Sequence, residues 1–428
     1  MARLVCAFML MSIFPCAVFA QSAPTDLNVL MYPYVPEGSA GIERFEEAFE
    51  EYCKNKGVNI DLDLTLRNTY DKSTDALKFD VAEIDLCVIE TLKNGNDYPL
   101  ADLSSLLPSG ARIGPATAIK NQAWAKKVAP HWVCGNFLVH RTTVSALSNA
   151  KSFDDLTVQL NSSKNRPLFA DLWGGGTLGE LYADAILDTY GKEYARKHLK
   201  QLAAITIPDK PEGKDETHAQ KFQRFSGIMS SLDASAVLKL YRLSKELEPR
   251  LLKNRPAVHN TAYVVPRMFA DESSAALLGY SERMYHVERA IQDKPWDGGS
   301  FPLAADRYVV RQFPFHKGSN GTPTWCDAFV SPKASFDKKR AEIKLFLKFA
   351  LSPEGYEKLL EPRKYYPSAY LLPAYTEVTE SKFCKEKMPL LSSYVEAIDD
   401  SFPVFESKVY RGLDNAGEAL KVLLKNLE

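Results

Sequence analysis

The chain has 428 residues and a formal net charge of −1, with 45% hydrophobic and 25% charged residues. That length and composition suit a globular protein of two or three lobes. The charge balance removes the electrostatic case for a nucleic acid or an anionic membrane surface as partner.

Residues 1–20 carry one early charge, Arg3, then an apolar run that closes on Ala17-Val18-Phe19-Ala20 before Gln21. This pattern predicts a cleaved signal peptide, hence a secreted or periplasmic protein. No later apolar stretch is long enough to span a membrane. Residues 27–34 (LNVLMYPY) are strand-like, and 41–54 have helical spacing of Ile42, Phe45, Ala48 and Phe49. Residues 58–66 (VNIDLDLTL) alternate as a half-buried strand does, and 84–89 (IDLCVI) read as a buried parallel strand. Strand, helix and strand in succession predict an α/β sheet. Residues 131–139 (HWVCGNFLV) are a further strand candidate. Beyond Arg141 the pattern turns helical over 177–190, 192–204 and 221–247, with a loop at 208–214 (PDKPEGK). Residues 275–280 (AALLGY) and 327–330 (DAFV) read as strands, 338–360 as a long amphipathic helix and 399–427 as a closing helix.

Of seven cysteines, Cys6 and Cys16 fall in the leader. Cys53, Cys87, Cys134, Cys326 and Cys384 remain, so an oxidising compartment leaves at least one thiol unpaired. The pairing among the rest is open. No CxxC or His/Cys ligand spacing occurs, so no metal site is expected.

The stretch 327–360, DAFVSPKAS followed by an amphipathic helix and LSPEGYEKLL, resembles the closing element of periplasmic solute-binding proteins. Ser352 suits a helix cap, Pro353 the first helical position and Glu354 the positive end of the helix dipole. The resemblance implies an α/β, two-lobed, type II periplasmic-binding-protein-like fold with an interlobe cleft. The lobes are expected at 21–138 with about 305–360, and at 139–304 with about 361–428.

Several segments together resemble thiaminase I, a family built on that fold: MYPYVP (31–36), WVCGNFLVHR (132–141), GGGTLGELYADAILD (174–188), GYSERM (279–284) and YPSAYLLPA (366–374). The resemblance implies an enzyme that cleaves thiamine. A cysteine thiolate adds to the aminopyrimidine, the neutral thiazole leaves, and an external base such as a pyridine-like amine or a thiol replaces it. No cofactor is implied. By the match, Cys134 is the nucleophile and Glu282 the general base. Such a base needs its pKa raised by burial. Tyr32, Tyr34, Tyr70, Tyr263 and Tyr280 match cleft tyrosines, whose rings can sandwich a pyrimidine and face a cationic thiazolium. Asp327 matches an acid that holds the exocyclic amine. Glu90 stands where the family has aspartate, which keeps the charge and lengthens the reach. His140, if it shared one strand with Cys134, would lie on the same face, but no Cys–His hydrolase signature is present. A monomer is expected. The alternative is a non-catalytic solute-binding subunit for thiamine or a related small molecule, which would need neither Cys134 nor Glu282.

Overall fold

The structure is a computed structural model and describes residues 24–32, 39–67, 73–162, 168–170, 175–210, 212, 215–252, 276–292, 305–312, 321–361, 368–398 and 402–427. The leader and the tyrosines 34, 70 and 263 lie outside the described residues.

Among the described residues eleven strands follow in chain order: β1 Thr25–Met31, β2 Ile60–Leu66, β3 Val81–Asp85, β4 Ala129–Gly135, β5 Phe137–Arg141, β6 Leu168–Ala170, β7 Ala276–Gly279, β8 Tyr308–Gln312, β9 Pro323–Val330, β10 Leu372–Pro373 and β11 Phe402–Pro403. They form two sheets. The first runs β10-β4-β9-β3-β1-β2, with β11 also on β9; the second runs β6-β7-β5-β8. In the first sheet β1 pairs in parallel with β2 and β3, while β9 lies antiparallel between β3 and β4. β2 keeps the expected alternation, with Ile60 and Leu62 buried and Asp61 and Asp63 turned outward.

The first sheet is covered by the helices Ser39–Lys54, Arg340–Ala350 and Pro353–Leu360. Phe45 and Phe49 meet Phe346 and Phe349 at centroid distances between 5.2 and 6.0 Å, the offset and edge geometries that aromatic rings favour. A second core forms around the helix Gly175–Tyr190, which packs on Lys192–Ala203 and on the closing helix Ser407–Asn426.

Several elements differ from the sequence expectation, each for a local reason. The run 84–89 is not one strand: β3 ends at Asp85, whose carboxylate accepts from the Cys87 amide at 2.8 Å and opens a 3-10 helix, Leu86–Leu92. The run 131–139 is two strands in two sheets, divided at Asn136. His140 is therefore on a different strand from Cys134. The 221–247 helix divides at Leu232-Asp233, and 338–360 divides at Leu351-Ser352, where the Ser352 hydroxyl caps the Gly355 amide at 3.2 Å. The closing helix begins at Ser407, after the short strand β11.

The expected lobe boundaries also shift. β8 pairs with β5 in the second sheet, although 305–360 was expected to belong to the first lobe. β10 pairs with β4 in the first sheet, and Tyr370, Tyr375 and Tyr394 pack in the first core, although 361–428 was expected in the second. The tail from Phe402 packs with the second core, although Phe405 sits in the first. Register decides these memberships, and register is set by long-range pairing that local periodicity does not report.

Candidate active site

Two passages of the chain between the sheets carry Cys134 and Glu282. The first is at Asn136. Cys134, near the end of β4, lies opposite Trp325 of β9, and three residues later the chain enters β5 of the second sheet. The second is the end of β7. Tyr280 leaves the second sheet, Ser281 and Glu282 turn, and the helix Arg283–Gln292 carries Met284 and Val287 into the first core. The helical turn closes through Arg283 N–H to the Tyr280 carbonyl at 3.0 Å and Tyr285 N–H to the Glu282 carbonyl at 3.1 Å.

Cys134 is half-buried, whereas Cys53, Cys87, Cys326 and Cys384 are buried; all five are free thiols. Burial pushes the Cys134 thiol well above its ordinary range, and the negative charges of Glu282, Asp327, Asp85 and Glu180 push it further. The group is thus held as a thiol in the free protein. Glu282 is half-buried, its carboxyl is raised chiefly by burial, and its Oε2 atom is buried without a hydrogen-bond partner. Asp327, 8% exposed on β9, faces Asp85 across the β3–β9 pair. Burial, Asp85, Glu83 and Glu282 together hold its carboxyl well above the usual range.

Glu180 belongs to the same group. It is 2% exposed on the Gly175–Tyr190 helix and accepts from both the Tyr280 hydroxyl and the Asn136 amide. Burial pushes its carboxyl up to about 7, against the lowering effect of those donors, and Glu282 adds to the rise. Tyr280 is half-buried, and burial together with the Glu180 charge holds its hydroxyl protonated. Tyr32, half-buried after β1, is fixed by its backbone N–H to Glu83 Oε2 at 3.2 Å, while Glu83 Oε1 takes His131 Nδ1 at 2.5 Å.

Of the residues singled out in the sequence, Cys134, Glu282, Asp327 and Tyr280 converge. Glu90 does not figure among the charges acting on them. It sits half-buried in the 3-10 helix and acts on Tyr98, while Asp85, five residues earlier, stands in the group. His140 faces Ser148 and the Arg141 carbonyl in the second lobe. Asp85 and Glu180 escaped notice in the sequence. The signal for Glu180 was an acid on a helix whose neighbours Leu178, Leu181 and Tyr182 are all apolar, so that the helix is buried nearly all round.

Among the described residues no group of three or more histidine, cysteine or carboxylate side chains is arranged to hold a metal ion. Nor is any helix among them long and apolar enough to cross a membrane. What converges is a half-exposed thiol, a desolvated carboxyl at Glu282 and several buried acids, an environment suited to an organic cation.

No family model matches the chain, and no curated protein matches it in sequence. Solved structures do. Clostridium botulinum thiaminase I in complex with thiamin aligns at a TM-score of 0.66 and 19% identity, over 93% of this chain and 100% of that one. Thiaminase I from Bacillus thiaminolyticus aligns at 0.63 and 17%, over 92% and 98%. Maltose-bound MalE3 of T. maritima aligns at 0.53 and 12%, over 94% and 100%.

The chain has the two-lobed fold shared by thiaminase I and the periplasmic sugar-binding proteins.

Within that fold, the passages at Asn136 and at Tyr280–Glu282 run between the sheets of the two lobes. Ligand sites occur preferentially at junctions between lobes. The fold is common to an enzyme and to carriers without chemistry, and function must be argued from the site.

Proposed function

We propose that this protein degrades thiamine, displacing the thiazole with an external nucleophile through a covalent adduct between Cys134 and the pyrimidine. One observation carries the reading: among the described residues, the only half-exposed cysteine sits at a lobe junction with Glu282, Asp327, Asp85 and Glu180 acting on it. A carrier with a purely binding cleft has no use for a thiol held among acids.

The electrostatics suit thiamine. Buried carboxylates without a compensating cation are costly, and a bound thiazolium supplies the missing positive charge. Its arrival favours ionisation of Cys134, whose proton passes to Glu282. The thiolate adds to the electron-poor pyrimidine, the carbon–nitrogen bond to the thiazolium breaks, and its electron pair leaves with the neutral thiazole. An amine, thiol or water then adds and the thiolate is released. Asp327 and Asp85 are the acids for the exocyclic amine, and Tyr280 and Tyr32 the rings beside the substrate. Tyr34, Tyr70, Tyr263 and Glu90 keep the roles implied by resemblance. The nucleophilic cosubstrate, secretion after loss of residues 1–20 and action as a monomer belong to the same proposal.

The test is turnover. Purified protein incubated with thiamine and pyridine releases free thiazole, and Cys134→Ser stops release while thiamine still binds. Stoichiometric binding by the wild type with no product would sink the enzyme and leave a carrier. Full activity in Cys134→Ser would remove the nucleophile assignment.

A further inference from the structure

Glu180 takes no proton or bond in the reaction above, yet its carboxyl group holds together the two passages that carry Cys134 and Glu282. Cys134 stands two residues before Asn136, and Glu282 two residues after Tyr280. Asn136 Nδ2 donates to Glu180 Oε2, and the Tyr280 hydroxyl donates to Glu180 Oε1. We infer that Glu180 is a positioning residue that ties the β4–β5 crossing to the β7–helix crossing and so sets the geometry of Cys134 relative to Glu282. This rests on the proposed reaction.

Three features support a built tie. Glu180 is 2% exposed, and burying a carboxylate is expensive unless it is fully engaged. Its two oxygens are shared between two chain segments that are 144 residues apart in sequence (280 minus 136), so neither donor is a local cap. Its own backbone is rigidly seated: a Cβ at the preceding residue, Gly179, would stand 2.1 Å from the Leu413 carbonyl oxygen. The helix therefore presents the carboxylate from a fixed platform, as positioning of reacting groups requires.

The test uses the full chain with Glu180→Gln, Glu180→Ala and Asn136→Ala, with thermal melts to confirm folding. Gln and Ala both remove the charge, but Gln keeps two hydrogen-bonding positions, its carbonyl accepting from Asn136 and its amide donating to Tyr280. A difference between them therefore reports the tie. In thiamine and pyridine assays Glu180→Ala is expected to lose kcat by about tenfold or more, with KM little changed, and Glu180→Gln to recover most of it. Without substrate, the rate of Cys134 alkylation by iodoacetamide, read by peptide mass, is expected to differ severalfold between the Ala and Gln variants. Asn136→Ala, which frees only the first crossing, is expected to alter alkylation in the same direction as Glu180→Ala. If Ala and Gln variants match in both kcat and alkylation, the tie is refuted. If the wild type releases no thiazole but the variants still alkylate differently, the reaction is wrong and the tie stands.

Discussion

Glu180 also has a consequence for stability. Its carboxyl is raised from 4.5 to about 7 by burial first. The folded protein therefore keeps a proton that the unfolded chain gives up near 4.5. Its contribution is fully present below pH 4.5 and is lost as pH rises through 7. A shift of that size corresponds to something on the order of 3 kcal/mol. Glu180→Gln, neutral at every pH, should match the wild type near pH 4.5 and exceed it in denaturant unfolding at pH 8. Parallel stability curves for the two proteins would show that the carboxyl is not held protonated. At this scale Cys134 and Glu282 could be named in the sequence only through the family resemblance, and the structure brings the Glu282 charge to bear on Cys134. Asp85 could not be told from Glu90, because both are single acids bordering one apolar run, and only the turn from β3 into a 3-10 helix separates their surroundings. Glu180 left only a faint local signal, an acid among apolar helix neighbours, because the partners that single it out, Asn136 and Tyr280, lie far away in the chain.

Elements were legible where capping chemistry is strong. Ser352-Pro353-Glu354 marks a helix start, and the start is there. The break at Asn136 was not read, since an apolar run with one polar residue continues equally well as a single strand. Backbone contact between helices is a further property that composition conceals. A Cβ at Gly412 would lie 2.1 Å from the Leu199 carbonyl oxygen and 2.6 Å from its carbon. Alanine is about 1 kcal/mol better than glycine inside a helix. Here the clash is with main chain, which cannot rotate away, so the helix Ser407–Asn426 must lift off Lys192–Ala203. Overpacking of this kind costs about 1–3 kcal/mol or more, and the clash outweighs the propensity gain. Gly412→Ala is expected to lower the unfolding midpoint in urea, whereas an unchanged or higher midpoint would mean that the two helices adjust freely. Ser352→Ala, losing one cap, should cost about 1 kcal/mol by the same measurement.

For the whole molecule, a net charge of −1 spread over 428 residues gave no hint that acids accumulate at one place inside it. The α/β class and the two lobes were readable from alternating elements and from the 327–360 segment. Which lobe receives β8 and β10 was not, because strand membership depends on partners far away in the chain. The arrangement of the acids bears on how the lobes move. Glu180 and Glu282 belong to elements at the second sheet, and Asp327 and Asp85 to the first. Without a cation between them, burial favours the protonated, neutral forms of Glu180, Glu282 and Asp327, and little draws the two sides together; a bound thiazolium favours the ionised acids on both sides and is attracted to each. Thiamine should therefore draw the lobes together. Small-angle scattering on Cys134→Ser, which keeps the substrate intact, is expected to show a smaller radius of gyration with thiamine than without. An uncharged thiamine analogue should produce less compaction at equal occupancy. The same radius in all three states would mean that the site is already closed, and that the acids are held apart by the fold rather than balanced by the ligand.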